Sequence, residues 1–470
     1  MSFSTIKKRL IGDRAFYAMV LAVAVPMVLQ DGITTFVGLL DNVMVGRTGT
    51  EQMSGVAITN QLMMIYNLCI FGGLSGAGIF AAQFFGHSDM EGLRNAFRCK
   101  LYIGAIATVI GIAVFLIFGE DLIYLFLKGE NDVGDADRTA AYSLAYLRIM
   151  LIGAVPFFLT QTYASTLKET GQTVLPMTAS IAAVFTNLVL NYIMIFGKLG
   201  FPVLGVQGAA IATVISRFVE LGIIAISVHV KQKEFEFVQG IYKTMKVPLS
   251  LAGSILKKGI PLMANEFLWA SGMAVLSQCY SLRGLSVIAA INISTTVSNM
   301  FSVVLMSIGN AVAILVGHQL GAGDMKKAKE TDVRLIAFAV AVSAGVGVIL
   351  AVTAPYIPKI YNTEEAVRLL ATKLIFISAG IMPISAVAIT SYFTLRSGGK
   401  TLITFIFDSG FTWVFSIPTA YLLVHFTSLN IVPLYLIVQL TGILKCFFGL
   451  FLVVKGYWLN NMVKAKEIQG

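Results

Sequence analysis

Thr166–Thr173 reads TLKETGQT, and Thr394–Thr401 reads TLRSGGKT. The two octets align without a gap at Thr, Leu, a cation, Gly and a final Thr. Three further pairs recur in the same order. GHSDM at Gly86–Met90 matches GAGDM at Gly321–Met325, and Gly153-x-x-Pro156 matches Gly380-x-x-Pro383. Pro26 precedes Asp31 by five residues as Pro261 precedes Glu266. One shared octet is weak evidence of duplication, but four pairs in consistent order indicate that one unit is written twice.

Composition says what kind of unit it is. The 470-residue chain is 57% hydrophobic and 12% charged, with a mean hydropathy of +0.82. Soluble domains carry about 25% charged residues, so the surface of this protein is meant for lipid. Apolar runs of the length a helix needs to cross a bilayer fall at 15–45, 54–84, 97–119, 140–166, 174–196, 206–230, 257–282, 285–317, 335–357, 368–395, 401–424 and 431–458. The alternating strands of a membrane β-barrel are not seen. The first run is too long for a signal-peptide core and reads as a true span. Each repeat interval encloses six spans, so both halves enter the membrane in the same direction. The expectation is an all-α integral membrane protein of twelve transmembrane helices. They form two six-helix bundles, related by a parallel internal repeat with a pseudo-twofold axis along the membrane normal. The N-terminal lobe is placed at 1–230 and the C-terminal lobe at 257–470. Between them, the linker 231–256 alternates apolar and basic residues, which reads as an amphipathic surface helix or an ordinary solvated connector.

Lys and Arg concentrate in alternate connections, among them Lys7, Lys8, Arg9, Lys231, Lys233, Lys257, Lys258, Lys326, Lys327 and Lys329, whereas the 120–137 loop is acidic. This asymmetry places both termini in the cytoplasm. The net charge of +10 is therefore topology rather than a nucleic-acid surface.

Ionised groups inside a bilayer cost at least about 2.5–3.5 kcal/mol and survive mostly where they face an interior cavity and work. The spans contain Asp31, Asp41, Glu220, Glu266 and Asp408. Asp31 and Glu266 fall near the middle of equivalent helices, while Asp41 lies ten residues, roughly 15 Å, further along the first. A carboxylate in low dielectric takes up a proton more readily than in water, and it also offers the oxygen that a small cation prefers. Asp41 is thus a candidate coupling site, while Glu266, Asp31 and Asp408 are candidates for substrate or ion binding. Asn187 and Asn191 share one helix face. Pro26 and Pro261 each remove a backbone bond beside an acid and supply a bend. Arg217 and Glu220, three apart, are expected to pair, and Arg148 and Lys445 to satisfy carbonyls or reach an interface. Tyr66, Phe157, Trp269, Tyr280 and Met300 are among the aromatic and Met residues near these helices, suited to flat cations or simply to packing.

Cys69, Cys99, Cys279 and Cys446 show no paired spacing, and the four histidines are scattered; neither a disulfide framework nor a metal site is indicated. No H-E-x-x-H, Gly-x-Ser-x-Gly or Walker A sequence occurs, so no catalytic residues are assigned, no cofactor is expected, and the chain does not read as an enzyme.

Asp41-Asn42-x-x-x-Gly46-Arg47-x-Gly49 resembles the multidrug and toxic compound extrusion (MATE) antiporters, as do the GHSD and GAGD loops, GVQGAAIAT at Gly205–Thr213 and TLRSGGK. The resemblance covers essentially the whole chain. It implies antiport of organic cations and drugs against inward Na⁺ or H⁺ by alternating access. In a bacterial plasma membrane the partners would be small-molecule substrates and lipid, and a monomer is expected because one chain already holds two bundles. The resemblance also implies an N-lobe cation site at Asp41, Asn187, Asn191 and Thr213. Where the family's better-known pattern is Asn-x-x-x-Asp, this sequence has Asn191, so the site keeps a single carboxylate. Glu266 matches the family's C-lobe glutamate, while Ser385 stands where one branch carries a second acid. The alternative within the broader superfamily is a flippase of lipid-linked substrates, which calls for a basic cavity; the candidates for one are Arg148 and Arg217. A channel or intramembrane enzyme fits least, having no use for duplicated acids.

Overall fold

The computed structural model describes residues 10–127, 135–361 and 363–464, with only the backbone of Leu285. Lys7, Lys8, Arg9 and the 128–134 part of the acidic loop lie outside the described residues. Among the described residues there is no strand. The helices are α1 (Arg14–Gly46), α2 (Thr50–Gly86), α3 (Met90–Leu127), α4 (Ala136–Ile152), α5 (Ala154–Glu169), α6 (Val174–Phe196) and α7 (Gly205–Val230). They continue with α8 (Leu249–Ser281), α9 (Leu285–Gly321), α10 (Met325–Thr353), α11 (Glu365–Ser397), α12 (Thr401–Phe405), α13 (Ile417–Phe426) and α14 (Ile431–Lys455).

These make twelve spans. Helices α4 and α5 form one span bent by 47° at Gly153, three residues before Pro156. Two π-helical stretches, Ile406–Gly410 and Thr412–Ser416, join α12 to α13 within one segment. Among the described residues ten helices, with the bent pair as an eleventh, are long and apolar enough to cross a membrane. The remaining span, α8, is 33 residues long, but Lys257, Lys258, Asn265 and Glu266 dilute its apolar stretch.

Packing divides the chain into two compact units. One holds Leu29–Ala81 and Asp89–Leu256; the other holds Met1–Val28, Ala82–Ser88 and Lys257–Gly470. In the first, Leu62, Tyr66 and Ile70 of α2 pack with Ile123 of α3, Leu147 and Met150 of α4 and Ala209 of α7. In the second, Phe16 and Val20 of α1 pack with Val312 and Val316 of α9, Leu335 of α10, Leu395 of α11 and Trp458.

The repeated octets fold alike. Gln172 N–H donates to Leu167 O (2.8 Å) and Gly171 N–H to Lys168 O (2.9 Å). Lys400 N–H donates to Leu395 O (3.2 Å) and Gly399 N–H to Arg396 O (2.9 Å). These bonds turn the chain at the end of α5 and of α11. The shared glycine sits at φ +80° in Gly171 and +70° in Gly399, a region costly for any residue with a Cβ.

The GHSDM and GAGDM loops also correspond. Asp89 Oδ1 accepts from Gly92 N–H (2.8 Å) and Asp324 Oδ1 from Lys327 N–H (2.9 Å), capping α3 and α10. The two helix ends that lead into them meet reciprocally. A Cβ on Gly86 would stand 2.1 Å from His318 O, and one on Gly321 would stand 2.0 Å from Gln83 O. Gln83 and Gly86 are the counterparts of His318 and Gly321, so the contact is self-complementary about a local twofold.

The linker does not form the surface helix its alternation suggested. Residues 231–248 are turns with one 3₁₀ segment, Glu236–Val238. Side chains one turn apart on α3 take up its carbonyls instead. Arg94 donates to Glu236 O (3.2 Å) and Phe237 O (3.3 Å), Arg98 to Ile241 O (3.0 Å) and Tyr102 to Met245 O (2.9 Å). A helix would have used those acceptors internally.

Candidate functional site

In the unit containing α6 and α7, the geometry starts from spacing. Asn187 and Asn191 stand four apart on α6 and Thr213 lies on the neighbouring α7, so three polar side chains share one interface. Asn191 is fully buried. Its Nδ2 donates to Asp41 Oδ1 on α1 and to Asn187 Oδ1 (3.0 Å), and Asn187 Nδ2 donates to Thr213 Oγ1 (3.2 Å). The hydroxyl of Thr213 passes its own hydrogen to Ala209 O (3.0 Å). The four residues named from the sequence thus form one hydrogen-bonded chain ending on a carboxylate. Asn191 Oδ1 is buried with no protein donor facing it. Asp41 is half-buried, and among the described residues no cation lies within ion-pair distance of it. Chemically, the cluster offers carboxylate, amide and hydroxyl oxygens, a donor set suited to a proton or a hard monovalent cation.

The neighbouring charges are arranged differently from expectation. Arg217 does not form an ion pair with Glu220 among the described residues. Its Nη1 donates to Gly153 O (3.1 Å) at the α4–α5 bend, and its guanidinium lies over the Phe157 ring, 4.9 Å from the centroid. Glu220 takes a hydrogen bond from Ser180. Asp31 is partly buried and lies within electrostatic reach of Lys168. Lys100, fully buried, pairs with Glu169 and donates to Ser165 (2.9 Å) and Thr166 (3.0 Å). No sequence signal marked that pair, because its partners are 69 residues apart.

In the other unit, a cavity of about 700 Å³ opens between α8, α9, α11, α14 and the π-helical segment. Glu266, Tyr392, Arg396, Asp408 and Lys445 line it. Asp408 lies on the first π turn, a kind of turn common at functional sites. Asp408 Oδ1 accepts from Lys445 Nζ (2.5 Å) and Oδ2 from Asn265 Nδ2 (3.0 Å), while Asn265 Oδ1 accepts from Ser409 Oγ (2.7 Å). Glu266 has Tyr392 as a hydrogen-bond partner and lies within electrostatic reach of Arg396. Two readings change here. Lys445 neither binds a carbonyl nor reaches an interface; it neutralises Asp408. The cavity also carries two acids rather than one, because Asp408 joins Glu266 where Ser385 supplies only a hydroxyl. Trp269 and Tyr280 line the cavity, and Tyr66 and Phe157 pack on each other elsewhere with centroids 6.1 Å apart. Arg396 is the cation of the repeated octet, whereas Asn265, next to Glu266, carries no motif that marks it.

Pro26 is buried and Pro261 lies in α8; both sit inside uninterrupted helix. Among the described residues no cluster of three His, Cys, Asp or Glu forms.

The MatE family model matches residues 26–193 and 261–422, once in each half. Probable multidrug resistance protein NorM of Thermotoga maritima is 23% identical over 453 residues, covering 94% of this chain and 93% of its own length. Its namesake in Halalkalibacterium halodurans is 28% identical, with 92% of each chain covered. Among solved structures, a MATE P26A mutant superposes with a TM-score of 0.83 at 19% identity, covering 95% of this chain and 97% of its own. A multidrug resistance MATE family transporter of the MOP superfamily in an outward-facing conformation gives 0.82 at 20%, covering 95% and 97%. The chain belongs to the MatE, or multidrug and toxic compound extrusion, family of transporters.

Proposed function

We propose that this protein is a secondary active exporter, exchanging organic cations or drugs for inward H⁺ or Na⁺ by alternating access. The observation that carries the reading is the Asp41–Asn191–Asn187–Thr213 chain: a carboxylate with no counter-cation, joined to amide and hydroxyl oxygens inside the bilayer. Such a group can bind one small cation and release it as its surroundings change. The relatives' names support a drug substrate, and the aromatic wall of Trp269 and Tyr280 suits flat cations. Glu266, Asp408 and Asp31 serve substrate or ion binding, and Pro26 and Pro261 give α1 and α8 places to bend. We place both termini in the cytoplasm of a bacterial plasma membrane. The lobes 1–230 and 257–470 act within one monomer.

A second reading has its own observation. Arg396 and Lys445 give the cavity two cations, as a lipid-linked or anionic substrate would require. Against it, Asp408 neutralises Lys445 and Glu266 sits beside Arg396, leaving no excess of positive charge.

Ethidium efflux from proteoliposomes, driven separately by a pH gradient and a Na⁺ gradient, decides between them. The antiporter reading expects one gradient to drive efflux. If neither moves the dye and an anionic amphiphile is transported instead, the second reading stands.

A further inference from the structure

The duplicated turns sit on duplicated threonines, and the two copies treat one hydrogen differently. In α5, Thr166 Oγ1 donates to Thr162 O (2.9 Å). In α11, Thr394 Oγ1 donates to Thr390 O (2.9 Å). A hydroxyl has one hydrogen, so each threonine oxygen is left as an acceptor. In the first copy the donor is Lys100 Nζ at 3.0 Å. In the second copy the atom facing Thr394 Oγ1 is Asp332 Oδ1, at 2.5 Å. Thr394 has one hydrogen for two facing acceptors, Thr390 O and Asp332 Oδ1, and a proton on Asp332 would satisfy both contacts at once.

The surroundings of Asp332 agree. Its side chain is fully buried, and Oδ2 faces no protein donor. Among the described residues no cation lies within ion-pair distance. The charged and titratable groups on the packed elements are turned elsewhere. On α10, Arg334 lies over the Phe16 ring (5.8 Å), and Lys329 and Glu330 are exposed. On α11, Arg396 lies over Phe393 (5.6 Å) and lines the cavity. On α9, His318 packs on Phe85 (4.9 Å). On α1, Asp13 accepts from Phe16 N–H (2.8 Å) and Tyr17 packs on Phe338. An ionised carboxylate here would be a buried charge with neither counter-ion nor full hydrogen bonding, which proteins avoid.

We infer that Asp332 is a proton-binding site, separate from Asp41 and the cavity acids, which holds its hydrogen on Oδ1 and donates it to Thr394. It is the neutral counterpart of the Lys100–Thr166 contact in the other half. Losing the proton would leave a carboxylate that draws the Thr394 hydrogen away from Thr390 O. That removes a bond from the last turns of α11, next to the Thr394–Thr401 turn. Proton occupancy at Asp332 is thereby coupled to the order of that helix end.

Infrared spectra of the full-length protein in detergent at neutral pH, in H₂O and D₂O, test this against Asp332→Asn. Other acids cancel in the difference. The expected result is loss of one carboxyl group's worth of the deuterium-sensitive neutral-acid carbonyl band, with the carboxylate bands unchanged. Loss from the carboxylate bands instead overturns the inference. Should Asp332→Asn not fold, Thr394→Val serves. Removing the acceptor moves one neutral-acid carbonyl to higher frequency, and an unmoved neutral-acid region contradicts the proposal.

Discussion

The acid of the α1–α6–α7 cluster and the acids of the cavity are balanced differently. Among the described residues, Asp41 accepts from the Asn191 amide, which leads on to Asn187 and Thr213, and has no cation within ion-pair distance. Asp408 holds Lys445 at 2.5 Å, and Glu266 lies beside Arg396. Between these two sites, the carboxylate of the first stands without a counter-ion while those of the cavity lie beside cations. An uncompensated acid can exchange a cation at little cost to the fold, whereas a compensated one is held by its partner. The first is suited to coupling and the second to shaping a binding cavity.

The largest effect expected from breaking this contrast is at Lys445. Lys445→Met strands Asp408 in the cavity wall and should cost on the order of 3 kcal/mol, read as a drop in the thermal unfolding midpoint in detergent. Adding Asp408→Asn should restore most of it, since the pair is then removed together. A double mutant no more stable than the single one would mean that Lys445 acts by packing. Lys100→Met and Lys100→Met/Glu169→Gln should repeat the pattern in the other unit, where Lys100 is fully buried.

Asn191→Asp sharpens the comparison by giving the Asp41 cluster a second carboxylate. Where Na⁺ drives efflux, its apparent affinity should rise by about tenfold, or ~1.4 kcal/mol, measured as the Na⁺ concentration giving half-maximal efflux. Where Na⁺ drives efflux, an unchanged Na⁺ dependence would show that Asn191 does not touch that ion.

The smallest effects belong to the repeated turns. Gly171→Ala should cost about 1 kcal/mol for its left-handed backbone. Gly399→Ala should cost more, because its Cβ would also meet Met462 Sδ at 2.2 Å. Thermal midpoints of the two variants rank them; equal losses would mean that Met462 yields freely.

Much of this was legible in the sequence where the signal is local or repeated. Apolar runs gave the twelve spans, the four paired motifs gave the duplication, and Gly171 and Gly399 occupy matching turns. The Asp41, Asn187, Asn191 and Thr213 set was also nameable, because the two asparagines share a helix face and the family resemblance supplied the rest. What escaped were partnerships between distant residues. Lys445 meets Asp408 across 37 positions, with the acid on a π turn, a backbone detail that apolar periodicity does not encode. The linker's alternation left a surface helix and an ordinary connector open, and its contacts with Arg94, Arg98 and Tyr102 on α3, which take its carbonyls, carried no local signal. Arg217 was expected to pair with Glu220, three residues away, and instead binds a carbonyl exposed at a bend in another helix.

The most direct test of the central claim compares Asp41→Asn with the parent protein in two assays on the same preparations: ethidium binding, and gradient-driven ethidium efflux from proteoliposomes. The account predicts that the variant binds the dye within about twofold of the parent, near 0.4 kcal/mol, while driven efflux falls to the level of empty liposomes. Driven efflux that survives in Asp41→Asn would show that coupling does not pass through this carboxylate.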